Sequence, residues 1–376
     1  MNTFNVYPVY DITPVKAEGS KLWDDKGIEY LDLYGGHAVI SIGHSHPRYV
    51  KAIQDQVAKL GFYSNSVKMP LQEELALKLG ELSGLSDYQL FMANSGAEAN
   101  ENALKLASFY NGRKNVIAFS KGFHGRTSAA VAATDNPSIQ AAINFADHVT
   151  ILPFNDVDAV KAAINDETCA VIMEGIQGVG GVHVATPEFQ MAIREACSKH
   201  GAVFIHDSVQ CGYGRSGHFF SFQDTELKPD IISMAKGMGN GFPVGGILIS
   251  PKFEAKYGML GTTFGGNHLA CAAAIAVLDV MKEESLVEKA KELGDYTIDK
   301  LKPLLSSGKI KEIRGKGLMI GIEMKEPIKA IRESLIFQDK IFTGASGANT
   351  LRLLPSLNVK KEELDTFIET FRAKLF

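Results

Sequence analysis

Four stretches of the 376-residue chain carry side chains that packing alone explains poorly. In Asp230-Ile231-Ile232-Ser233-Met234-Ala235-Lys236-Gly237 an apolar run ends in a lysine followed by glycines. A lysine withdrawn from water holds its proton less tightly and becomes a nucleophile that condenses with carbonyls. Ala202-Val203-Phe204-Ile205-His206-Asp207 ends a second apolar run in a carboxylate. A buried acid needs a cationic or hydrogen-bonding partner, and ligands of open α/β sheets gather where strands end. Asn94-Ser95-Gly96-Ala97-Glu98-Ala99-Asn100 is a small-residue turn entering a helix. Such a helix start cradles anions, and Ser95 adds a hydroxyl. Gly122-Phe123-His124-Gly125-Arg126-Thr127 sets a flat aromatic, an imidazole and a guanidinium together. Phe123 can stack on a planar group and Arg126 can fork onto a carboxylate. Each stretch alone has a plainer reading. These are a surface lysine, a solvated or capping aspartate, a capping box of Ser95 with Glu98, and a loop phenylalanine beside a solvated arginine.

In combination the four point to one cofactor. A phosphate cradle, an aromatic plate, an acid and a lysine, in that order, are what pyridoxal phosphate requires. Asp207 would pair with the pyridine nitrogen and keep it protonated, so that the ring draws electrons. Lys236 would hold the aldehyde as an imine and later shuttle a proton. The protein supplies orientation and electronics; the cofactor supplies the chemistry.

These residues need a rigid frame, and the pattern around them supplies one. Short apolar runs at 88–92, 115–119, 149–152, 170–173, 202–206, 230–234 and 246–250 alternate with helical patterns. Continuous apolar runs are expected of parallel strands covered on both faces. Thr186-Pro187-Glu188 opens a helix, with Thr as N-cap and Pro at the first helical position. The β-α-β alternation predicts an α/β domain with a mostly parallel sheet. Both ends differ. Short strands are expected at 22–24 and 30–33, long helices near 265–282 and 284–305, and a strand pair around 313–323. The last helix carries Leu364, Phe367, Ile368, Phe371 and Leu375 on one face. We divide the chain into 1–45, the N-terminal part of a small α+β domain; 46–255, a large cofactor-binding domain; and 256–376, the rest of the small domain.

Composition narrows the class. With 45% hydrophobic and 22% charged residues and a net charge of −4, an ordinary globular protein without a basic nucleic-acid surface is expected. The 4 cysteines form no C-x-x-C pair, so no metal site is expected. No apolar stretch is long enough to span a membrane. Met1-Asn2-Thr3-Phe4-Asn5-Val6 lacks a basic and apolar leader, which makes the cytoplasm the expected address.

The motifs also carry a family resemblance. Gly43-His44-Ser45-His46-Pro47, residues 94–100, 122–127, 207–217, 235–243, 261–267, 314–321 and 351–356 resemble, in order, those of class III aminotransferases of pyridoxal-phosphate fold type I. The chain is most similar to the group of acetylornithine, succinylornithine and ornithine aminotransferases. The resemblance implies a large domain with a mostly parallel seven-stranded sheet. It implies that Ser95, Gly96 and Ala97 bind the cofactor phosphate, that Phe123, with His124 beside it, and Val209 flank the ring, and that Asp207 meets its nitrogen. Gln210 would donate to the phenolic oxygen and Lys236 would form the Schiff base. Thr263 would be a phosphate ligand lent by the neighbouring subunit, which implies a homodimer with shared sites. Arg126 and Arg352 match carboxylate-binding arginines. Arg352, alone among leucines in Leu351-Arg352-Leu353-Leu354, would find its partner in a substrate carboxylate, unless it faces solvent.

Some positions depart from that pattern. Relatives usually have Gln-Gly-Glu-Gly-Gly where this chain has Gln177-Gly178-Val179-Gly180-Gly181, and that glutamate normally gates the arginine matching Arg352. Asp207-Ser208-Val209-Gln210 replaces Asp-Glu-Val-Gln, and His268 replaces a proline. His37 and Glu174 are further candidates for the substrate end of the site. The expected reaction moves the distal amino group of N-acetylornithine to 2-oxoglutarate, in arginine biosynthesis. N-succinylornithine is the variant, and its acyl carboxylate would want another cation, for which Arg126, His37 and His268 are candidates. Rivals are another ω-transaminase, acting on ornithine or 4-aminobutyrate, a glutamate-semialdehyde aminomutase, and a cofactor-binding protein without catalysis.

Overall fold

The seven apolar runs become the seven strands of a single sheet in the computed structural model, which describes Met1 and residues 3–376. Asn2, within the expected leaderless start, lies outside the described residues. In space the strands follow the order Gln89–Ala93, Gly245–Ile249, Ile231–Met234, Val203–Asp207, Thr168–Glu174, Asn115–Phe119, Val149–Leu152. Gly245–Ile249 runs antiparallel to both neighbours; the other pairings are parallel.

Alternation along each strand builds two cores. Ile117, Val171, Met173, Phe204, Ile232 and Leu248 pack with Phe189 and Ile193 of the helix Pro187–His200. Their neighbours Ala118, Ala170, Ile172, Val203, Ile205, Ile231 and Ile247 pack with Ala99, Ala103 and Ala107 of the helix Gly96–Asn111. Burial on both faces is why these strands read as unbroken apolar runs. Thr186 caps its helix as expected, accepting the Phe189 N–H at 3.2 Å with Pro187 at the first helical position. In the central register Asp207 lies opposite Glu174 on one side and Ser233 on the other, so one end of the sheet gathers both acids and leads directly into Lys236.

The two ends of the chain meet. The antiparallel strands Pro14–Glu18, Lys21–Asp24 and Glu29–Asp32 are extended by Ile341–Phe342, parallel to the last of them. A second sheet orders Ile310–Lys316, Met319–Met324, Thr350–Leu353 and Gly344–Ser346. Pro14–Glu18 was not among the expected strands: it is a short, largely exposed edge strand, so no apolar run marks it. The helix expected over 284–305 ends at Leu301, because Pro303 lacks the N–H an α-helix needs, and a 3-10 segment Lys302–Ser307 follows. The helix His268–Glu283 packs against Pro47–Lys59 and Pro70–Ser83.

The last helix, Lys361–Leu375, buries the whole expected stripe, and Phe367 stacks on Phe371 with centroids 5.4 Å apart. Phe367→Ala should therefore cost about 3–5 kcal/mol in urea unfolding. A loss below about 1 kcal/mol would mean that this face is not in the core.

Candidate active site

A cavity of about 290 Å³ opens at the end of the sheet where Asp207 and Glu174 lie, and its wall includes Gly96, Ala97, Phe123, Asp207, Val209 and Lys236. A larger cleft of about 470 Å³, lined by Lys105, His148 and Cys169, shares none of these residues. The smaller cavity is the chemical one, because it collects the titratable groups that the sheet brings together.

Asp207 is 2% exposed. Its Oδ2 accepts from Asn100 Nδ2 at 2.8 Å and lies 2.7 Å from His124 Nδ1, and its Oδ1 accepts the Val209 N–H at 3.0 Å. Burial alone would push this carboxyl up. The hydrogen bond and charge of His124, with the Val209 and Asn100 donors, outweigh burial and hold it below the usual range. Burial likewise disfavours the His124 cation, yet its bond to Asp207 raises it. His124 thus stands as the counter-ion of the acid. Asn100 escaped the sequence reading as a site residue. Its signal was position, one helical turn beyond Gly96 on the face that lines the cavity.

Lys236 begins the 3-10 turn Lys236–Met238 with φ of 46°, a left-handed conformation that is strained for a side-chain-bearing residue. It has no ion-pair partner among the described residues. Burial lowers its amine below the ordinary lysine value, against the pull of Asp207 and Glu174.

At the helix start Ser95 is the N-cap, while the Glu98 carboxylate reaches past it to the preceding residue. Ser95 Oγ accepts the Glu98 N–H at 3.2 Å, and Glu98 Oε2 accepts from the Asn94 backbone at 2.7 Å. Gly96 and Ala97 remain on the cavity wall, where first-turn N–H groups have no acceptor within the helix. A Cβ at Gly96 would come within 2.6 Å of Val209 Cγ1, so glycine lets the helix start close on Val209. Gln210 Nε2 donates to the His37 carbonyl at 3.1 Å, and its Oε1 is buried without a partner among the described residues.

Glu174 is buried and faces the cavity. Its two oxygens accept the Phe123 N–H at 2.9 Å and the Gly178 N–H at 3.1 Å. Burial pushes its carboxyl up to about 7, although the His124 charge opposes this. The Gly178 carbonyl in turn accepts from Arg352 Nη1 at 2.8 Å, while Arg352 Nε donates to the Ala345 carbonyl at 2.9 Å. Arg352 is buried rather than facing solvent, and it has no carboxylate partner among the described residues.

His37 sits in a rare turn. Gly35, Gly36, His37 and Ala38 have φ of 56°, 54°, 69° and 62°, one left-handed helical turn closed by Ala38 N–H to the Tyr34 carbonyl at 3.0 Å. A left-handed conformation costs about 1–2 kcal/mol at each non-glycine position. Loss of water and the Arg352 and Lys236 charges lower the His37 imidazole. Arg126 is exposed at the cavity rim. Thr263 is exposed on the loop before His268–Glu283 and does not line this cavity. Within one chain it is therefore not brought to the other site residues.

The chemistry of the donors fits pyridoxal phosphate. A buried amine without a counter-ion, an ionised carboxylate a cation can approach, a helix start for an anion, and Phe123 and Val209 on one small cavity are its four requirements. The orphaned Gln210 Oε1 leaves one more polar group on the wall to be satisfied.

Fold and site together define a pyridoxal-phosphate enzyme of fold type I. The family model for class-III aminotransferases matches residues 5–375, and the chain belongs to that family. It is 41% identical to the acetylornithine aminotransferase of Vibrio vulnificus over 96% of this chain and 92% of the relative. It is 42% identical to that of Halalkalibacterium halodurans over 96% and 94%. Among solved structures, the ornithine aminotransferase of Toxoplasma gondii superposes with a TM-score of 0.91 at 28% identity, covering 98% of this chain and 91% of that one. The acetylornithine aminotransferase of Elizabethkingia anophelis gives 0.86 at 28% identity, covering 99% and 95%.

Glu174 generates a pH prediction. Its proton stays on to about pH 7 in the fold but leaves near 4.5 in the unfolded chain. The native state then binds the extra proton between those values, so stability falls as pH rises through them and levels off above. In cofactor-stripped protein, Glu174→Gln should flatten that fall by up to about 3 kcal/mol between pH 5 and 8. Parallel pH profiles in urea unfolding would refute the assignment.

Proposed function

We propose that this class-III aminotransferase moves the distal amino group of an N-acylated ornithine, N-acetylornithine or N-succinylornithine, to 2-oxoglutarate as a step of arginine biosynthesis. What carries the reading is one cavity that joins a counter-ion-free Lys236 to an ionised Asp207, beside a buried Arg352 with no carboxylate of its own. The acetylornithine aminotransferases at about 40% identity over nearly the whole chain support the choice of donor.

When bound, pyridoxal phosphate supplies an electron sink for the C–H bond broken next to the amine. In this reading the N–H groups at Gly96 and Ala97, with Ser95, hold its phosphate. Phe123 and Val209 confine the ring. Asp207, held ionised by His124, keeps a proton on the ring nitrogen. Gln210 serves the phenolic oxygen. The Lys236 amine, its proton affinity lowered by burial, takes the proton from the substrate carbon and returns it elsewhere. Arg352 and Arg126 hold carboxylates at the two ends of the substrate path, which fixes the reacting carbon near Lys236. His37 lines the substrate side. Glu174 acts through the backbone of Phe123 and Gly178.

The same reading makes the enzyme a cytoplasmic homodimer in which Thr263 serves the partner's phosphate. Its exposure on a loop outside its own chain's cavity supports this, and no described helix is long and apolar enough to cross a membrane.

Three experiments test the assignment. Borohydride should fix the cofactor on Lys236, and Lys236→Ala should lower turnover by more than about 10³-fold while still binding cofactor. Substantial residual turnover would remove Lys236 from its role. In a donor panel, N-acetylornithine should be turned over and 4-aminobutyrate should not; the reverse would replace the proposed donor. Arg352→Ala should cost about 2–5 kcal/mol in kcat/KM for 2-oxoglutarate, and an unchanged value would exclude it as a carboxylate clamp.

A further inference from the structure

Next to Arg352 lies a second guanidinium that neither the sequence reading nor the proposed chemistry uses. Arg332, half-buried on the helix Lys329–Phe337, donates from Nε to the Thr343 carbonyl at 3.0 Å. Arg352 donates from Nε to the Ala345 carbonyl at 2.9 Å. Thr343 and Ala345 flank Gly344, which opens the strand Gly344–Ser346. Two guanidiniums are thus pinned to one extended segment two residues apart, roughly 6–7 Å along the chain. The residue between them must be glycine: a Cβ at Gly344 would meet the Tyr34 ring at 2.7 Å and Arg352 Cβ at 3.3 Å. The Tyr34 ring lies 4.8 Å from that of His37. Tyr34, His37, Arg332 and Arg352 therefore form one wall, which adjoins the cavity where the His37 carbonyl accepts from Gln210 and where His37 feels the charges of Arg352, Arg332 and Lys236.

This wall is cationic and has no counter-ion. Arg332 lies over the Tyr10 ring at 5.6 Å and forms no ion pair among the described residues. By contrast Arg314, on the same small sheet, pairs with Glu312 and Glu323. The loop over Arg352, Gly175 to Gly181, contains no acidic side chain and offers Arg352 only the Gly178 carbonyl. Like charges held together without an anion repel each other, so the arrangement favours a ligand that brings negative charge. In the proposed function the two carboxylates of 2-oxoglutarate engage Arg352 and Arg126, and the single carboxylate of N-acetylornithine also needs only one arginine. Arg332 is left unclaimed.

We infer that Arg332 is a second carboxylate-binding, specificity-determining residue of this site, and that the preferred donor is an ornithine whose acyl group ends in its own carboxylate. The inference rests on the N-acylornithine reading and refines it.

The test compares cofactor-loaded wild type, Arg332→Gln and Arg332→Lys with N-acetylornithine and N-succinylornithine, 2-oxoglutarate being the acceptor. Wild type should favour N-succinylornithine about tenfold or more in kcat/KM, as expected for one charge-assisted contact. Arg332→Gln should lose that preference through a raised N-succinylornithine KM, leave N-acetylornithine and the acceptor within about twofold, and keep the wild-type melting temperature; Arg332→Lys should recover part of the preference. Equal use of both donors by wild type overturns the inference while leaving the parent reading intact. So does an Arg332→Gln effect that is equal for both donors or that falls on the acceptor instead. Failure of wild type to use either acylated donor overturns both.

Discussion

A carboxylate that must stay ionised in a dry place is the constraint around which this site is built. Asp207 lies at the end of a central strand, where desolvation would neutralise it. A neutral acid could not hold a proton on a ring nitrogen. The chain answers with His124 and Asn100 on one oxygen and the Val209 N–H on the other. Those donors come from three places: the loop after 115–119, the helix after 89–93 and the chain just past Asp207. Only the parallel stacking of the strands lets all three converge. The same convergence sets Lys236 within the influence of Asp207 and Glu174, so the acid's setting and the amine's lowered proton affinity are one arrangement.

Arg352 is set differently. Where Asp207 is given counter-charges, Arg352 is given only carbonyls, from Gly178 and Ala345. Carbonyl dipoles orient a guanidinium without cancelling its charge, which is what the proposed role of Arg352 requires. A protein acid on Arg352 would have to be displaced first. Arg215 shows the same device used for architecture: it is buried, pushed down to about 9 by desolvation, and bonded to the carbonyls of Ile40, Leu318 and Pro355. It ties the loop after Asp207 to segments at Ile40, Leu318 and Pro355, and so holds the strand of Arg352 against the loop that follows Asp207.

What was legible in the sequence follows from range. The seven strands were readable because burial on both faces writes itself as local apolar runs. Asp207 and Lys236 stood out because each ends such a run with a charge. The pattern of the elements set both ends of the chain apart from its middle, but not which strands meet, since the pairing of Glu29–Asp32 with Ile341–Phe342 joins residues some three hundred apart. Asn100 and Arg332 were missed for the same reason: each looks like an ordinary helix residue until its partner, Asp207 or Thr343, is in place. Ser95 was read two ways, as cap and as part of a cradle; the cap is formed, and Gly96 and Ala97 stand beside it on the cavity wall. Glu174 was named only as a candidate for the substrate end of the site; its grip on two backbone N–H groups needed the folded loop.

The left-handed turn at Gly35–Ala38 links these themes. Its backbone strain persists because several contacts fix it at once. A Cβ at Gly35 would lie 2.8 Å from the Leu354 carbonyl, Leu354 N–H donates to the Leu33 carbonyl at 2.8 Å, and the His37 carbonyl accepts from Gln210. One end of the turn therefore touches the strand that carries Arg352, and the other touches a residue next to the Asp207–Val209 pair. A relaxed right-handed turn would swing the His37 carbonyl away from Gln210 and its ring away from Tyr34. The chain thus holds an unfavourable backbone conformation where contacts on both sides fix it, and the strain is the cost of tying the segment that carries Arg352 to the cavity of Asp207 and Lys236.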